Sequence, residues 1–334
     1  MTTLKDVARH AGVSFSTVSR AINHPDKVQE ATRTRIEAAI RDLGYQPHRA
    51  ARRLRGQGAH AQIFGLIIPD IENPFYSGIV RGVEERAYAE GYAVILSNTN
   101  EDADRERFYL DVLRQEAAAG AILPPFGDGS TPDPDTLPFP VVCFDRRPQA
   151  DVFDTVVVDN AQGAFEAVSH LAGLGHARIG MIAASRDLTT SRERTAGYHR
   201  ALAAHGIDAD PALVRSGDPR PEAGYQLALD LLHHDPPTAL FVGNNVLTMG
   251  VLEAAHELGV SIPGDLALVT FDDPPWTRLV TPPLTAVRQP TFEIGRRAAD
   301  LLLARIAEPD RPAETVTLQT ELIVRGSCGA PVRA

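Results

Sequence analysis

The spacing of hydrophobic and polar residues changes once along the chain. Between residues 4 and 43, apolar residues recur at the period of helices that bury one face. From about residue 61, apolar runs of strand length alternate with helical stretches, which is the pattern of parallel sheets covered on both faces. The runs are QIFGLIIPD, YAVILSNT, GAILP, VVCFD, HARIGMIAA, TALFVGN and LALVTFD. The pattern predicts a small all-α unit followed by a larger α/β region.

The strand and helix series of the larger region occurs twice, and its second copy starts near Asp159. Two copies indicate two similar lobes, each with its own parallel sheet. Such sheets bind ligands at the carboxyl ends of their strands, so two lobes that face each other would enclose a site between them.

Local signals in the small unit predict three short helices around one core. Thr3 and Asp6 have the spacing of a capping box at the start of the first helix, and Gly12 can adopt the positive φ of a tight turn. Ser14 can accept the free N–H groups of a second helix. A third helix is expected from about Gln29 to Leu43.

The second helix has one apolar face, formed by Val18 and Ile22, and one polar face. A polar face near a helix N-terminus can reach base edges and phosphates in the major groove of DNA. The exposed set is Phe15, Ser16, Thr17, Ser19 and Arg20. Core packing is the alternative for Phe15.

Charge is distributed unevenly along the chain. The whole chain has a net charge of -10, but residues 1–60 contain 11 basic and five acidic residues, which leaves +6 here and -16 in the remainder. A basic unit on an acidic body favours a polyanionic partner at one end. A solvated helical face would carry the same charge.

Two strings carry a family resemblance. LKDVARHAGVSFSTVSRAIN at residues 4–23 and GYQPHRAARRLR at residues 44–55 resemble the lactose-repressor (LacI/GalR) family in order and spacing. The likeness continues through GLIIPDIENPFYSGIVRGVEERAYAEGY, LGHARIGMI and PPLTAVRQP. It implies an N-terminal all-α helix-turn-helix domain joined to a two-lobed α/β sensor with parallel sheets, similar to periplasmic binding proteins.

The resemblance also implies which residues contact DNA. The expected base-reading residues are Phe15, Ser16 and Arg20. The expected contacts to the DNA backbone are Thr17, Ser19 and Asn23, with Thr3 and Ser14 at the helix starts.

Residues 47–58 would form a hinge between the two parts. This stretch is basic and contains one large aliphatic residue, Leu54. In the family the segment becomes a helix on operator DNA, and a leucine at this place wedges into the central minor-groove step. Arg49, Arg52 and Arg55 would neutralise phosphates or line that groove. A flexible tether is the alternative.

Polar and aromatic residues near strand ends are candidates for binding a small molecule. The candidates are Asn73, Phe75, Asp145, Arg194, Asn244, Asp272 and Trp276. The resemblance implies effector contacts at Arg194 and Asp272, with Asp145 and Asn244 nearby. Helix capping is the alternative for the Asp and Asn residues, and covering a lobe edge is the alternative for Trp276.

Two positions depart from the family pattern. Asn245 stands where the family commonly has aspartate, and Pro219 stands where several members have a ligand-stacking aromatic residue. Carboxylate, amide and guanidinium groups beside aromatic faces suit a polyhydroxylated or heterocyclic ligand. The resemblance favours a sugar or sugar derivative, with a purine or another metabolite as the alternative.

Motifs of the enzymes that use similar sheets are missing from the sequence. Lysine occurs only at positions 5 and 27, which excludes a GK[ST] phosphate loop in the α/β region. His170 and His176 lack a clear third metal ligand, and Cys143 and Cys328 are far apart. We therefore expect no catalytic residue, no metal and no cofactor.

A signal peptide and an apolar run of about 20 residues are not found either, so we expect a cytoplasmic protein without a membrane partner. A rival hypothesis is a ligand-binding protein of the periplasmic type without a regulatory role. The expected function is a sequence-specific transcriptional regulator, most simply a repressor, that binds a near-palindromic operator as a homodimer and responds to a small-molecule effector.

The expected domain boundaries follow from these patterns. Residues 1–46 form the helix-turn-helix domain, 47–58 the hinge, and 60–334 the effector-binding and dimerisation domain. Lobe 1 is expected to contain about 60–158 plus 290–318, and lobe 2 about 159–289 plus 319–327.

Overall fold

The computed structural model describes residues 2–23, 27–45, 63–126, 131–233 and 236–329. The chain divides into two compact units, Met1–His60 and Ala61–Ala334.

The described part of the small unit contains three helices whose apolar faces share one core. The helices are α1 (Leu4–Ala11), α2 (Phe15–Asn23) and α3 (Glu30–Asp42). Val7, Val18 and Ile36 are almost completely buried between them. The third helix thus lies within one residue of each end that the sequence predicts.

The local signals at the helix ends act as expected. The Thr3 backbone N–H donates to Asp6 Oδ2 at 2.9 Å, and the Asp6 N–H donates back to Thr3 Oγ1, which confirms the capping box. Gly12 has a φ of +63° after α1, in the left-handed region. Ser14 Oγ accepts from the Thr17 N–H at 3.1 Å. The Gly12 conformation and the Ser14 hydrogen bond fix the turn that separates α1 from α2.

The large unit contains two six-stranded sheets covered by helices. Its strands are β1 (Ile63–Ile68), β2 (Ala93–Asn98), β3 (Gly120–Leu123), β4 (Val141–Phe144), β5 (Asp154–Val158), β6 (Ile179–Ala184), β7 (Val214–Gly217), β8 (Ala239–Val242), β9 (Ala267–Phe271), β10 (Thr285–Arg288), β11 (Thr315–Leu318) and β12 (Glu321–Ile323). Its helices are α4 (Pro74–Ala89), α5 (Ala103–Gln115), α6 (Asn160–Gly173), α7 (Thr189–Ala204), α8 (Pro221–Leu232), α9 (Asn245–Glu257) and α10 (Thr291–Ala307).

Each sheet defines one lobe. The first sheet has the order β11-β5-β4-β3-β1-β2, and its strands pair in parallel. The second has the order β12-β10-β9-β8-β6-β7, which is parallel except for β12 against β10. The core strands are apolar on both faces because helices cover both sides. Five of the described strands were not predicted from the sequence: β7, β11 and β12, which have half-buried patterns, and the short buried strands β5 and β10.

Helix α10 brings the chain back from the second lobe to the first. It packs against α4 and against strands β3, β4 and β5. The two helix backbones approach closely through glycines. A Cβ atom at Gly82 would overlap the Phe292 carbonyl oxygen, and one at Gly295 would overlap that of Ile79.

This close approach predicts the effect of Gly82→Ala. The new methyl group would push α10 away from α4, so we expect a loss of about 1–3 kcal/mol in the free energy of unfolding, seen as a lower Tm. Gly173→Ala, at the end of α6, is the control because a Cβ there meets nothing within 4 Å. Equal Tm values for the two variants would contradict tight packing between α4 and α10.

Candidate functional site

A cleft of about 580 Å³ lies in the large unit where the carboxyl ends of strands from both sheets meet. Six of the seven side chains that the sequence singles out for ligand binding line it. They are Asn73, Phe75, Asp145, Arg194, Asn244 and Asp272. The volume is within the range of small-molecule sites.

Two of these residues, Asp145 and Asp272, hold equivalent places in the two lobes. Each follows a central strand, β4 or β9, and has a positive φ, of 63° and 75° respectively. The backbone N–H of Asp145 donates to the Val156 carbonyl and that of Asp272 to the Val287 carbonyl, both at 2.9 Å. A left-handed aspartate costs about 1–3 kcal/mol, and such strain concentrates at ligand sites. The neighbouring strands therefore hold both carboxylates at the cleft.

Arg194 is a buried cation of the site, and its side chain is held on several sides. Its Nε donates to Asn160 Oδ1 at 2.8 Å, and its Nη1 donates to the Gly243 carbonyl at 2.7 Å. The guanidinium lies 3.7 Å from the centre of the Phe271 ring. No described protein group accepts a hydrogen bond from Nη2, which leaves this nitrogen for a ligand.

The acids at the floor of the cleft are electrostatically coupled. Burial raises the pKa of Asp145 to about 6, while the nearby charges of Arg146 and Arg194 oppose the rise. Arg146 is 4% exposed and binds both carboxylate oxygens of Glu101. Burial also raises the pKa of Tyr76 far above its usual value.

Sequence reasoning missed Gln289 and Arg146, which also line the cleft. Gln289 Nε2 donates to Asp272 Oδ1 at 2.6 Å, and Gln289 Oε1 is buried without a partner among the described residues. The signal for Gln289 was its place directly after a strand, in the string VRQP. The signal for Arg146 was its place directly after Asp145.

Asn245, which departs from the family pattern, joins the two lobes across the cleft. Its Nδ2 donates to Asn73 Oδ1 at 3.0 Å, and its backbone N–H donates to Asp272 Oδ2 at 3.3 Å. Asn73 Oδ1 also accepts from the Phe75 N–H at the start of α4, so it can only be the amide oxygen. An aspartate at 245 would lack the donor that this oxygen needs.

The sequence analysis expected Trp276 to contact a ligand, but this residue does not line the cleft. After Asp273 the chain forms a short 3-10 helix, Pro275–Arg278. This turn directs the indole into the second lobe, where it packs against a core that includes Leu247 and Leu284. Covering part of the lobe is thus its role in the fold.

The expected DNA-contacting side chains of α2 lie on its open face. Phe15 is 45% exposed, which excludes core packing, whereas Val18 on the opposite face is 0% exposed. Ser16 and Arg20 are also exposed, and Thr17 and Ser19 are half-buried. Thr3 and Ser14 cap α1 and α2. The side chain of Asn23 and the hinge residues Arg49, Arg52, Leu54 and Arg55 lie outside the described residues.

The two histidines considered as metal ligands have other partners. His176 bonds Thr238 Oγ1 at 2.9 Å and the Gly329 carbonyl at 2.6 Å. His170 Nε2 lies 3.1 Å from Cys328 Sγ. Within the described ranges, no group of three potential ligands could hold a metal ion. No described helix is both long and apolar enough to cross a membrane.

Two family models match the chain. Residues 3–48 match "Bacterial regulatory proteins, lacI family", and residues 168–328 match "Periplasmic binding protein-like domain". The transcriptional repressor CytR of Escherichia coli K12 is 37% identical over 98% of this chain and 96% of its own length. The ribose operon repressor of the same strain is 35% identical over 98% of this chain and its own full length (100%).

Solved structures agree with the sequence matches. The lac repressor dimer bound to operator and the anti-inducer ONPF has a TM-score of 0.80 at 28% identity and covers 98% of this chain and 99% of its own. The structure named "putative ribose operon repressor from Burkholderia thailandensis" has a TM-score of 0.73 at 34% identity and covers 79% of this chain and 99% of its own. The chain belongs to the lacI family of bacterial regulatory proteins.

Proposed function

We propose that this protein is a transcriptional repressor whose affinity for operator DNA is controlled by a small molecule bound in the cleft. The proposal rests on one observation, which is that the same chain contains both parts such a repressor needs. One part is a helix-turn-helix unit whose α2 has an exposed polar face, and the other is a cleft lined by strand-end acids and Arg194. Residues 1–46 are the DNA reader, 47–58 the hinge and 60–334 the sensor. No step of this function requires catalysis, and it takes place in the cytoplasm, where bacterial DNA lies.

In the reader, Phe15, Ser16 and Arg20 contact base edges at the N-terminal half of α2. The neighbouring polar residues Thr17, Ser19 and Asn23 hold the phosphate backbone. Thr3 and Ser14 fix the helix starts, which point their N–H groups at phosphates. In the hinge, Leu54 enters the minor groove, and the arginines at 49, 52 and 55 neutralise phosphates.

In the sensor, carboxylates and a guanidinium recognise the hydroxyl groups of a sugar or sugar derivative. Asp145 and Asp272 accept hydrogen bonds from hydroxyls, and Arg194 donates to ligand oxygens. Asn73, Asn244 and Phe75 complete the wall. A sugar is supported by relatives such as the ribose operon repressor and by a family member from Enterococcus faecium solved with bound ribose, 28% identical to this chain.

Ligand binding acts on DNA through the lobes. A ligand that binds one lobe arrangement more tightly shifts the population toward it. The Asn73–Asn245 bond lies across the cleft and is therefore sensitive to that arrangement. The chain acts as a homodimer, like the operator-bound lac repressor dimer, so that two readers meet two half-sites of a near-palindromic operator.

A ligand-binding protein without a regulatory role is the alternative. The basic helix-turn-helix unit disfavours it, because such a protein would not need that unit. Salt-sensitive preference for one genomic fragment over bulk DNA, measured with the full chain, distinguishes the two functions.

Arg20→Ala should weaken specific operator binding by about 1–3 kcal/mol and relax the preference at one base position. Binding to a panel of operators with single base changes, followed by fluorescence anisotropy, measures both effects. An equal loss on random DNA would identify Arg20 as a phosphate contact and contradict its base-reading role.

Leu54→Ala should weaken operator binding about tenfold or more, because the wedge that stabilises the bent minor groove is lost. Ligand binding to the same variant, measured by calorimetry, should stay unchanged because the cleft is elsewhere in the chain. Unaltered operator affinity would remove the hinge from the mechanism.

Arg194→Ala and Asp272→Asn should each weaken ligand binding by roughly 10- to 100-fold, because each removes a charge-assisted hydrogen bond. Both variants should still bind operator in the absence of ligand. Arg200→Ala is the matched control: Arg200 lies on the same helix, α7, but its guanidinium stacks on Phe165 outside the cleft. A ligand response that survives in both cleft variants would show that the effector binds elsewhere.

A further inference from the structure

We propose that the cleft selects an effector without negative charge, a neutral or amine-bearing polyol, and rejects phosphorylated and carboxylated molecules of the same shape. This inference rests on the proposed function and deepens it by giving the chemical class of the effector.

The charges that line the cleft are strongly unequal. Seven carboxylates and three guanidinium groups face it, with no lysine or histidine among the described lining residues. An anionic ligand would therefore enter a region of negative potential, where like charges at close range oppose its binding.

The three arginines do not offset this excess for a ligand. Arg146 is buried and binds both oxygens of Glu101, and its Nε lies 3.8 Å from Asp145 Oδ2. Arg220 is exposed and stands between two exposed acids, Asp218 and Glu222. Arg146 therefore offers no spare positive charge, and the exposed Arg220 is outnumbered by the two acids beside it in the chain.

Among the described residues, Arg194 is the one buried cation of the cleft that is not paired with a carboxylate. Its charge is shared with the acids beside it: burial raises the pKa of Asp145, and Arg146 and Arg194 oppose that rise. The three carboxyl groups of Asp145, Asp272 and Glu101 outnumber the two guanidinium groups of Arg146 and Arg194 at the floor of the cleft, so acidic groups are in excess there even before a ligand arrives. One free guanidinium nitrogen suits a hydroxyl or carbonyl oxygen better than a phosphate dianion.

Helix N-termini are the usual anion sites of such folds, and two of those at the cleft are already occupied. At α9, Asn244 Oδ1 accepts from the Leu247 N–H at 2.8 Å, and the Asp272 carboxylate accepts from the Asn245 N–H. At α4, Asn73 Oδ1 accepts from the Phe75 N–H at 3.0 Å. The protein's own oxygen atoms thus stand where a phosphate would bind.

Helices α7 and α8 both begin without a side-chain cap, and the first turn of each lines the cleft. These two N-termini are the places where an anion could still bind, so phosphorylated ligands must be tested directly.

The hydrogen-bonding groups at the floor of the cleft also favour a neutral or amine-bearing ligand. Asp145, Asp272 and the partnerless Gln289 Oε1 present acceptors at the floor, and Gln289 lines the cleft. Buried acceptors require donors, which hydroxyl and amine groups supply and an ionised phosphate does not.

The test is a thermal-shift screen of the full chain with matched pairs of molecules. Each pair combines a neutral compound with its own anionic form: D-ribose with D-ribose 5-phosphate, adenosine and cytidine with their monophosphates, glucose with glucose 6-phosphate and with gluconate. Calorimetry then gives the Kd values for any pair with a hit. We expect stabilisation by neutral members, with the anionic partner bound roughly 100-fold more weakly or not at all.

Asp145→Asn tests the electrostatic cause. The amide keeps the shape but removes one negative charge, so the ratio of Kd values within the hit pair should shrink even if the neutral compound binds less tightly. Raised salt should shrink the ratio in the unaltered protein, because it screens repulsion. A ratio that responds to neither change would contradict charge as the basis of selection.

An anionic compound that binds as tightly as its neutral partner, for example at the start of α7, would overturn the inference and leave the proposed function intact. A panel without any hit would contradict the sensor itself, and with it this inference. Operator binding, measured separately, tells whether the DNA-binding part of the function survives.

Discussion

Charged side chains that are buried with little water must be satisfied by their neighbours, and this requirement shapes the centre of the large unit. Arg194 is held by Asn160, by the Gly243 carbonyl and by the Phe271 ring. Asp272 receives the Asn245 N–H and the Gln289 amide. Because removing one partner from a buried charge costs more than the bond itself gains, these contacts act as one network. The network keeps its donors and acceptors oriented before a ligand arrives.

The same network depends on backbone that is rigid enough to hold strained residues. Asp145 and Asp272 keep left-handed φ values because their N–H groups are tied to the adjacent strands, β5 and β10. Helices pack on both faces of the sheets that contain those two strands. Tight packing of α10 on α4 through glycine fixes one side of the first lobe. The positions of the charged side chains at the cleft thus depend on close contacts well outside it.

The departure at position 245 fits the chemistry around it. An aspartate at this position would add a carboxylate beside Asp272. Its side chain would also face the Asn73 oxygen without a proton to donate. Asparagine avoids the added charge and connects the lobes with a neutral bond. A neutral bond is easily exchanged for contacts to a ligand, which makes this position suited to a protein that responds to small molecules.

The sequence by itself determined the three helices described in the small unit and seven of the twelve described strands. The caps at Thr3 and Gly12 and the apolar period of α1 to α3 rest on local forces between residues a few positions apart. Six residues that line the cleft were also predicted from their places near strand ends, because parallel strands bring their carboxyl ends to one edge of the sheet. Only the tertiary structure decided that Trp276 turns into a core, that Gln289 and Arg146 join the site, and that Asn245 meets Asn73, 172 positions away. Side-chain direction and partners at such separations are set by how whole lobes pack, and no local pattern encodes that.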